Sequence, residues 1–110
     1  MISFHKTKPS TMIKLTVLYG YPTNPEVFED YYANTHVPLA ESMKGLEKME
    51  YTKFISAPDG SQAAYYRMAK LYFTNPEALQ ATMSSAEGQA TAADLANFAT
   101  GGVKLLVGAV

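Results

Sequence analysis

The sequence predicts an α+β fold of the ferredoxin-like kind: a four-stranded antiparallel sheet with helices on one face. Three observations lead there. Four segments have strand character, and two helical stretches separate them in the order βαββαβ. Each helical stretch opens with the same device, an asparagine followed by proline and glutamate, at Asn24-Pro25-Glu26 and Asn75-Pro76-Glu77. The 110 residues have the length of one domain, with no tandem repeat, low-complexity tract or interdomain linker.

The first strand is MIKLTVLYGY. Ile13, Leu15, Val17 and Tyr19 alternate with Lys14, Thr16, Leu18 and Gly20, a period of two. PTNPE breaks it, and a helix follows from Pro25 towards Lys44. Phe28, Tyr32, Thr35, Leu39 and Met43 share one face of that helix. Pro38 interrupts it. Proline lacks the backbone N–H, its ring clashes with the carbonyl of Asn34, and it disfavours the α region for Val37. The expectation is therefore a helix, a kink near Val37, and a short continuation that leaves through a left-handed Gly45.

The second strand is expected over Glu47 to Ser56, with APDGSQ as the turn. The third is AAYYRMAKLYF. One face reads Ala63, Tyr65, Arg67, Ala69, Leu71, Phe73 and the other Ala64, Tyr66, Met68, Lys70, Tyr72. Both are largely apolar, which predicts that both are covered. A helix starts at Pro76. Ser84 and Glu87 have capping-box spacing and predict a further helix through Phe98. Gly101-Gly102 end it, and VKLLVGAV is the last strand. Helices cover one face of such a sheet. A second copy, packed sheet to sheet, would cover the other, and a ligand would sit between the sheet and the helix edge. Residues 1–11 read as a flexible polar arm before a single domain over 12–110.

Composition narrows the function. Hydrophobic residues make up 47% and charged residues 17%, a folded chain's proportions. Surface scaling gives a chain of this mass burial of about 65% of its unfolded surface, a modest core that a partner subunit would help. The net charge is −1 and no basic run appears, so nucleic acid is not expected as a partner. Zero cysteines exclude disulfides, thiolate catalysis and cysteine-held metals. No apolar run reaches membrane-spanning length and the N-terminus does not resemble a signal peptide. The expectation is a cytoplasmic protein without a membrane partner.

Three segments carry a family resemblance: FEDYYANTHVPL, GLEKMEYTKF and SSAEGQATAADLANFATGG. In this order they resemble the EthD family, small proteins named after a component of bacterial ether degradation. The likeness covers residues 13 to 110. It implies a dimeric α+β barrel, and relatives in that wider group include cofactor-free monooxygenases, cyclases, dehydratases and isomerases. The family's His-x-Pro-Leu element matches His36, Val37, Pro38 and Leu39, and the aspartate of its ADLANF element matches Asp94.

His36 is the candidate catalytic residue. It lies beside the apolar helical face, four residues after Tyr32, and histidine exchanges protons near neutrality. The alternative role is to satisfy a backbone carbonyl freed at Pro38. Tyr19, Tyr32, Tyr66, Met68 and Asp94 are the candidate ligand-binding residues. Tyrosine offers an apolar ring with a polar tip, and methionine lines adaptable cavities. No metal site is expected, because His36 is the one histidine outside the arm and no carboxylate cluster shares its face. No Gly-rich phosphate loop appears, so no flavin or nicotinamide cofactor is expected. The function expected is a small oxidoreductase without a cofactor of its own, acting on a small, mostly apolar or aromatic, oxygenated molecule. An isomerase or dehydratase on the same fold, and a non-catalytic carrier, are the alternatives.

Overall fold

The computed structural model describes residues 12–110; the expected arm lies outside them. Four strands form one sheet: β1 (Ile13–Tyr19), β2 (Lys48–Lys53), β3 (Arg67–Phe73) and β4 (Val103–Ala109). Their order is β2-β3-β1-β4, and every pairing is antiparallel. This is the ferredoxin-like topology the element order predicts. Alternation along β1 is complete. Ile13, Leu15, Val17 and Tyr19 are buried while the residues between them are half-buried, so the odd positions face the helices. Registers such as Val17 opposite Ala69 and Leu105 carry the same face across the sheet.

The helical layer begins with α1 (Pro25–Tyr31). The Asn24 side chain accepts a hydrogen bond from the Val27 N–H at 3.2 Å, and Pro25 occupies a position whose N–H has no helical partner anyway. One π-helical turn, Tyr32–His36, follows, and then α2 (Val37–Glu41). This corrects the expectation for Val37. Val37 stays in the α region at φ −61° and ψ −47°, and its N–H reaches back five residues to the Tyr32 carbonyl. The wider turn takes up the mismatch just ahead of the Pro38 ring, so the chain need not leave helical space. The helix stops at Glu41, short of the expected Lys44, with Ser42 still right-handed at its end; Gly45, at φ +89°, belongs to the turn beyond it and is not the helix exit.

After β3, Asn75 caps α3 (Pro76–Ser84) by accepting from the Ala78 N–H at 2.7 Å. Then comes α4 (Ala86–Phe98), whose cap is Ser85. The expected capping serine was its neighbour, Ser84. Ser85 is the residue with extended backbone between the two helices, and its hydroxyl oxygen accepts from the Gly88 N–H at 3.1 Å. Gly88 also lets α4 start hard against the end of α3, where a Cβ would collide with the Thr82 carbonyl.

Two further expectations change. The second strand ends at Lys53, short of Ser56, and the third begins at Arg67 rather than at Ala63. Tyr66 thus stands before the strand. Although its parity assigns it to the outer face, its hydroxyl donates to Glu29 on α1 at 2.7 Å. The sheet face away from the helices is consequently mixed rather than largely apolar. Leu18, Met68, Tyr72 and Leu106 lie there among Lys14, Lys48, Glu50, Lys70 and Lys104. On β4 both faces expose large apolar side chains: Leu105, Leu106 and Val107 are each more than half exposed.

Tyr19, Phe28 and Phe73 are the largest fully buried side chains. Phe28 stacks on Tyr32 with ring centroids 5.4 Å apart and meets Phe98 at 5.1 Å. Aromatic pairs at these separations add to the area they bury. No helix among the described residues is long and apolar enough to cross a membrane.

Candidate active site

His36 and Asp94 form the centre of the site. The π turn sets His36 at the end of its widened loop of backbone, and α4 brings up Asp94. His36 Nδ1 lies 2.9 Å from Asp94 Oδ2, and both residues are buried. The other carboxylate oxygen accepts from the Tyr31 hydroxyl at 2.6 Å and from the Asn97 amide at 2.9 Å. Burial pushes the Asp94 carboxyl up, but the hydrogen bonds from Tyr31, Asn97 and His36 outweigh it and hold the group below its ordinary value. Tyr31 shifts the opposite way, upward, because it donates to that carboxylate.

An ionised Asp94 accepts only, so Nδ1 carries the proton. In neutral His36 the free lone pair is then on Nε2, which makes no hydrogen bond to the described residues. Phe98 packs on the imidazole at 4.5 Å between centroids and fixes its plane.

His36 forms part of the wall of a cavity between the sheet and the helices, about 50 Å³ in volume. Leu15, Val17, Ala69 and Leu71 come from the sheet, and Ala40, Met43, Met83 and Leu95 from the helices. Leu105, half-exposed on β4, stands at its open side. Thr91 also lines it, but its hydroxyl donates to the Glu87 carbonyl of its own helix. The remaining polar side chains in the lining are His36, Tyr32 and Tyr19. Burial raises the Tyr32 phenol to about 12, with the nearby Arg67 charge opposing that rise, and burial raises Tyr19 further. Their hydroxyls are therefore protonated donors.

Of the residues singled out from sequence, the structure gathers His36, Tyr19 and Tyr32 at the cavity and sets Asp94 behind His36. Tyr66 and Met68 lie elsewhere. Tyr66 belongs to a cluster in which Glu29 accepts from Arg67 Nη2 at 2.6 Å and Nε at 2.9 Å. Those bonds, from Arg67 first and then Tyr66, lower the Glu29 carboxyl to about 2 against the opposing effect of burial. Met68 pairs in register with Leu18 on the outer sheet face. The alternative role for His36, a bond to a freed backbone carbonyl, is not what its Nδ1 does. Sequence reasoning missed Tyr31 and Asn97. Asn97 had a signal, standing one helical turn after Asp94. Among the described residues no three His, Asp or Glu side chains come together as a metal site.

The fold and the buried His–Asp pair define a class: a ferredoxin-like α+β protein with a small cavity between sheet and helices. The particular family follows from comparison. The EthD domain matches residues 21–102, and the chain belongs to that family. It is 37% identical over 95 residues, 86% of this chain and 91% of the relative, to an uncharacterised 11.0 kDa protein of the thcB–thcC intergenic region of Rhodococcus erythropolis. It is similar to the crystal structure of an EthD family protein from Bacillus halodurans, at 35% identity and TM-score 0.83. That match covers 88% of this chain and 96% of the other. Two more distant structures share the fold alone. The hydroxynitrile lyase of Passiflora edulis matches at 10% identity and TM-score 0.76, covering 93% and 95% of the two chains. A dimeric ferredoxin-like protein of unknown function from Bacteroides fragilis matches at 14% and 0.63, covering 90% and 96%.

Proposed function

We propose that this chain is an enzyme that binds a small, mostly apolar, oxygenated molecule and moves a proton at Nε2 of His36. The carrying observation is the 2.9 Å contact between His36 Nδ1 and a carboxylate held ionised by two further donors. That partner fixes the tautomer and stabilises the imidazolium formed when Nε2 takes a proton. The apolar lining weakens competition from water and strengthens whatever hydrogen bonds a substrate makes. A carbon acid deprotonated here has three outcomes: reprotonation elsewhere, loss of a β-hydroxyl, or reaction with dioxygen. These are the isomerase, dehydratase and cofactor-independent oxidoreductase readings. A non-catalytic carrier is the second reading, and the aliphatic and thioether character of most of the lining is what favours it.

The active form in this reading is a homodimer. Leu105, Leu106 and Val107 expose apolar surface along an edge strand, an arrangement that invites pairing with another chain. A copy covering Leu105 would also close the open side of the cavity.

Native mass spectrometry of protein taken from its own cells is the experiment, because a copurified molecule identifies the substrate class. Turnover of that molecule should fall about 10²- to 10⁴-fold in His36→Gln. Binding without turnover in the wild type would make the protein a carrier.

A further inference from the structure

The hydroxyl of Tyr32 is buried and has no hydrogen-bond partner among the described residues. The residue is 4% exposed. An unpaired buried hydroxyl costs stability. The ring is held on several sides. Phe28 stacks on one face, Tyr19 meets it edge-on at 5.6 Å, and the Arg67 guanidinium carbon sits 4.9 Å from its centroid. Arg67 is itself pinned by two bonds to Glu29. Tyr32 lines the same cavity as His36, and the two rings are nearly parallel, 19° apart, with centroids 6.1 Å from each other. The π turn holds both, one at each of its ends. His36 and Tyr32 thus share one wall of a small apolar space.

We propose that the Tyr32 hydroxyl donates a hydrogen bond to a carbonyl oxygen of the substrate, and that the substrate class is a compact ketone or related carbonyl compound with an acidic C–H beside that carbonyl. The proposal rests on the proton-transfer reading of His36 and adds the second half of the chemistry. The α C–H bond breaks and its proton goes to Nε2. The electron pair becomes the enolate C=C bond as the carbonyl π pair moves to oxygen, where Tyr32 meets the growing negative charge. Return of the proton restores the carbonyl, so the step balances without an external oxidant. A donor that needs no reorganisation as charge develops is the effective kind, and the neighbouring cation strengthens a phenol as donor.

Acetylacetone is a suitable probe, being compact, apolar and a C–H acid between two carbonyls. Its enolate affinity, read by difference absorbance, and the deuterium exchange of its central methylene, read by NMR, are measured with wild type, Tyr32→Phe and His36→Gln. Melting temperatures are recorded alongside. The wild type should bind the enolate and accelerate exchange. Tyr32→Phe should weaken enolate binding about 10-fold or more and slow exchange about 10²-fold, while melting at the same temperature or higher because it removes an unpaired buried hydroxyl. Exchange lost in His36→Gln but untouched in Tyr32→Phe overturns the donor role and leaves the proton-transfer reading standing. Equal exchange in wild type and His36→Gln overturns that reading, whereas weakened enolate binding in Tyr32→Phe still supports the donor. A wild type that neither binds nor exchanges the probe overturns the carbonyl class. A Tyr32→Phe protein that melts several degrees lower has lost a structural partner, which also overturns the proposal.

Discussion

His36 and Asp94 stand 58 positions apart in the chain and meet at 2.9 Å inside the molecule. The contact joins the π turn to α4, and Tyr31 and Asn97 converge on the same carboxylate. The ionised carboxylate thereby fixes which imidazole nitrogen carries the proton.

Substituting that group separates its charge from its shape. Asp94→Asn should leave the fold intact at a cost of about 1–2 kcal/mol. Proton exchange at Nε2 should drop about 10²-fold or more, since an amide can hold either tautomer and does not stabilise an imidazolium. Exchange rates against pH, with a melting curve for each variant, make the check. Unchanged exchange would mean that the carboxylate serves packing alone.

Glu29 predicts an acid limb to stability. Its folded-state value, about 2, is depressed from an ordinary 4.5 by Arg67 and Tyr66. Its contribution is therefore fully present above about pH 4.5 and is lost as pH falls through about 2. The loss should be about 1–2 kcal/mol, less than full linkage implies because the carboxylate is partly exposed. Urea titrations across this range should show the slope, and Glu29→Gln should flatten it. Asp94 adds to the limb with the same sign, so some slope should survive the substitution.

Gly88→Ala should destabilise the helical layer by roughly 2 kcal/mol or more. The new methyl group meets the Thr82 carbonyl and the Met83 backbone, neither of which can swing aside as a side chain can. Gly60→Ala is the control: nothing crowds that position, and only its φ of +88° resists, costing about 1 kcal/mol. Chemical denaturation of the two variants should rank them in that order.

Light scattering at micromolar concentration should report about twice the 12.0 kDa chain mass. Leu106→Lys, which sets a charge on the exposed edge strand, should shift the protein towards half that mass. A wild type that stays monomeric over the same range would remove the homodimer reading.

The fold was legible because local chemistry agrees with tertiary structure at the element ends. Asn24-Pro25 and Asn75-Pro76 start helices, and β1 alternates cleanly. Ser85 was displaced by one residue because either serine can cap, and the choice belongs to the packing of Gly88 on α3. Parity misplaced Tyr66 because it counted through residues that are not strand, and the apolar reading of the outer face failed with it. The site was legible in part. A histidine near a helix-breaking proline is a local signal. Its partner is not, since no periodicity links positions on different helices. Tyr31 was hidden for a further reason: adjacent residues on a helix point about 100° apart, so Tyr31 reaches the carboxylate while Tyr32 lines the cavity.

The π turn of Tyr32–His36 is one residue longer than an α-helical turn, an insertion the helix absorbs locally. Deleting one residue between Tyr32 and His36 would let regular α-helical bonding run through the segment. An α-helix advances about 100° per residue and the wider π turn less, so the deletion and the return to α geometry largely cancel. The imidazole would then stand three residues after the phenol, a spacing that still shares one helical face. A homologue one residue shorter here would keep the facing of the site, and a gap placed at this turn is what aligns the two correctly.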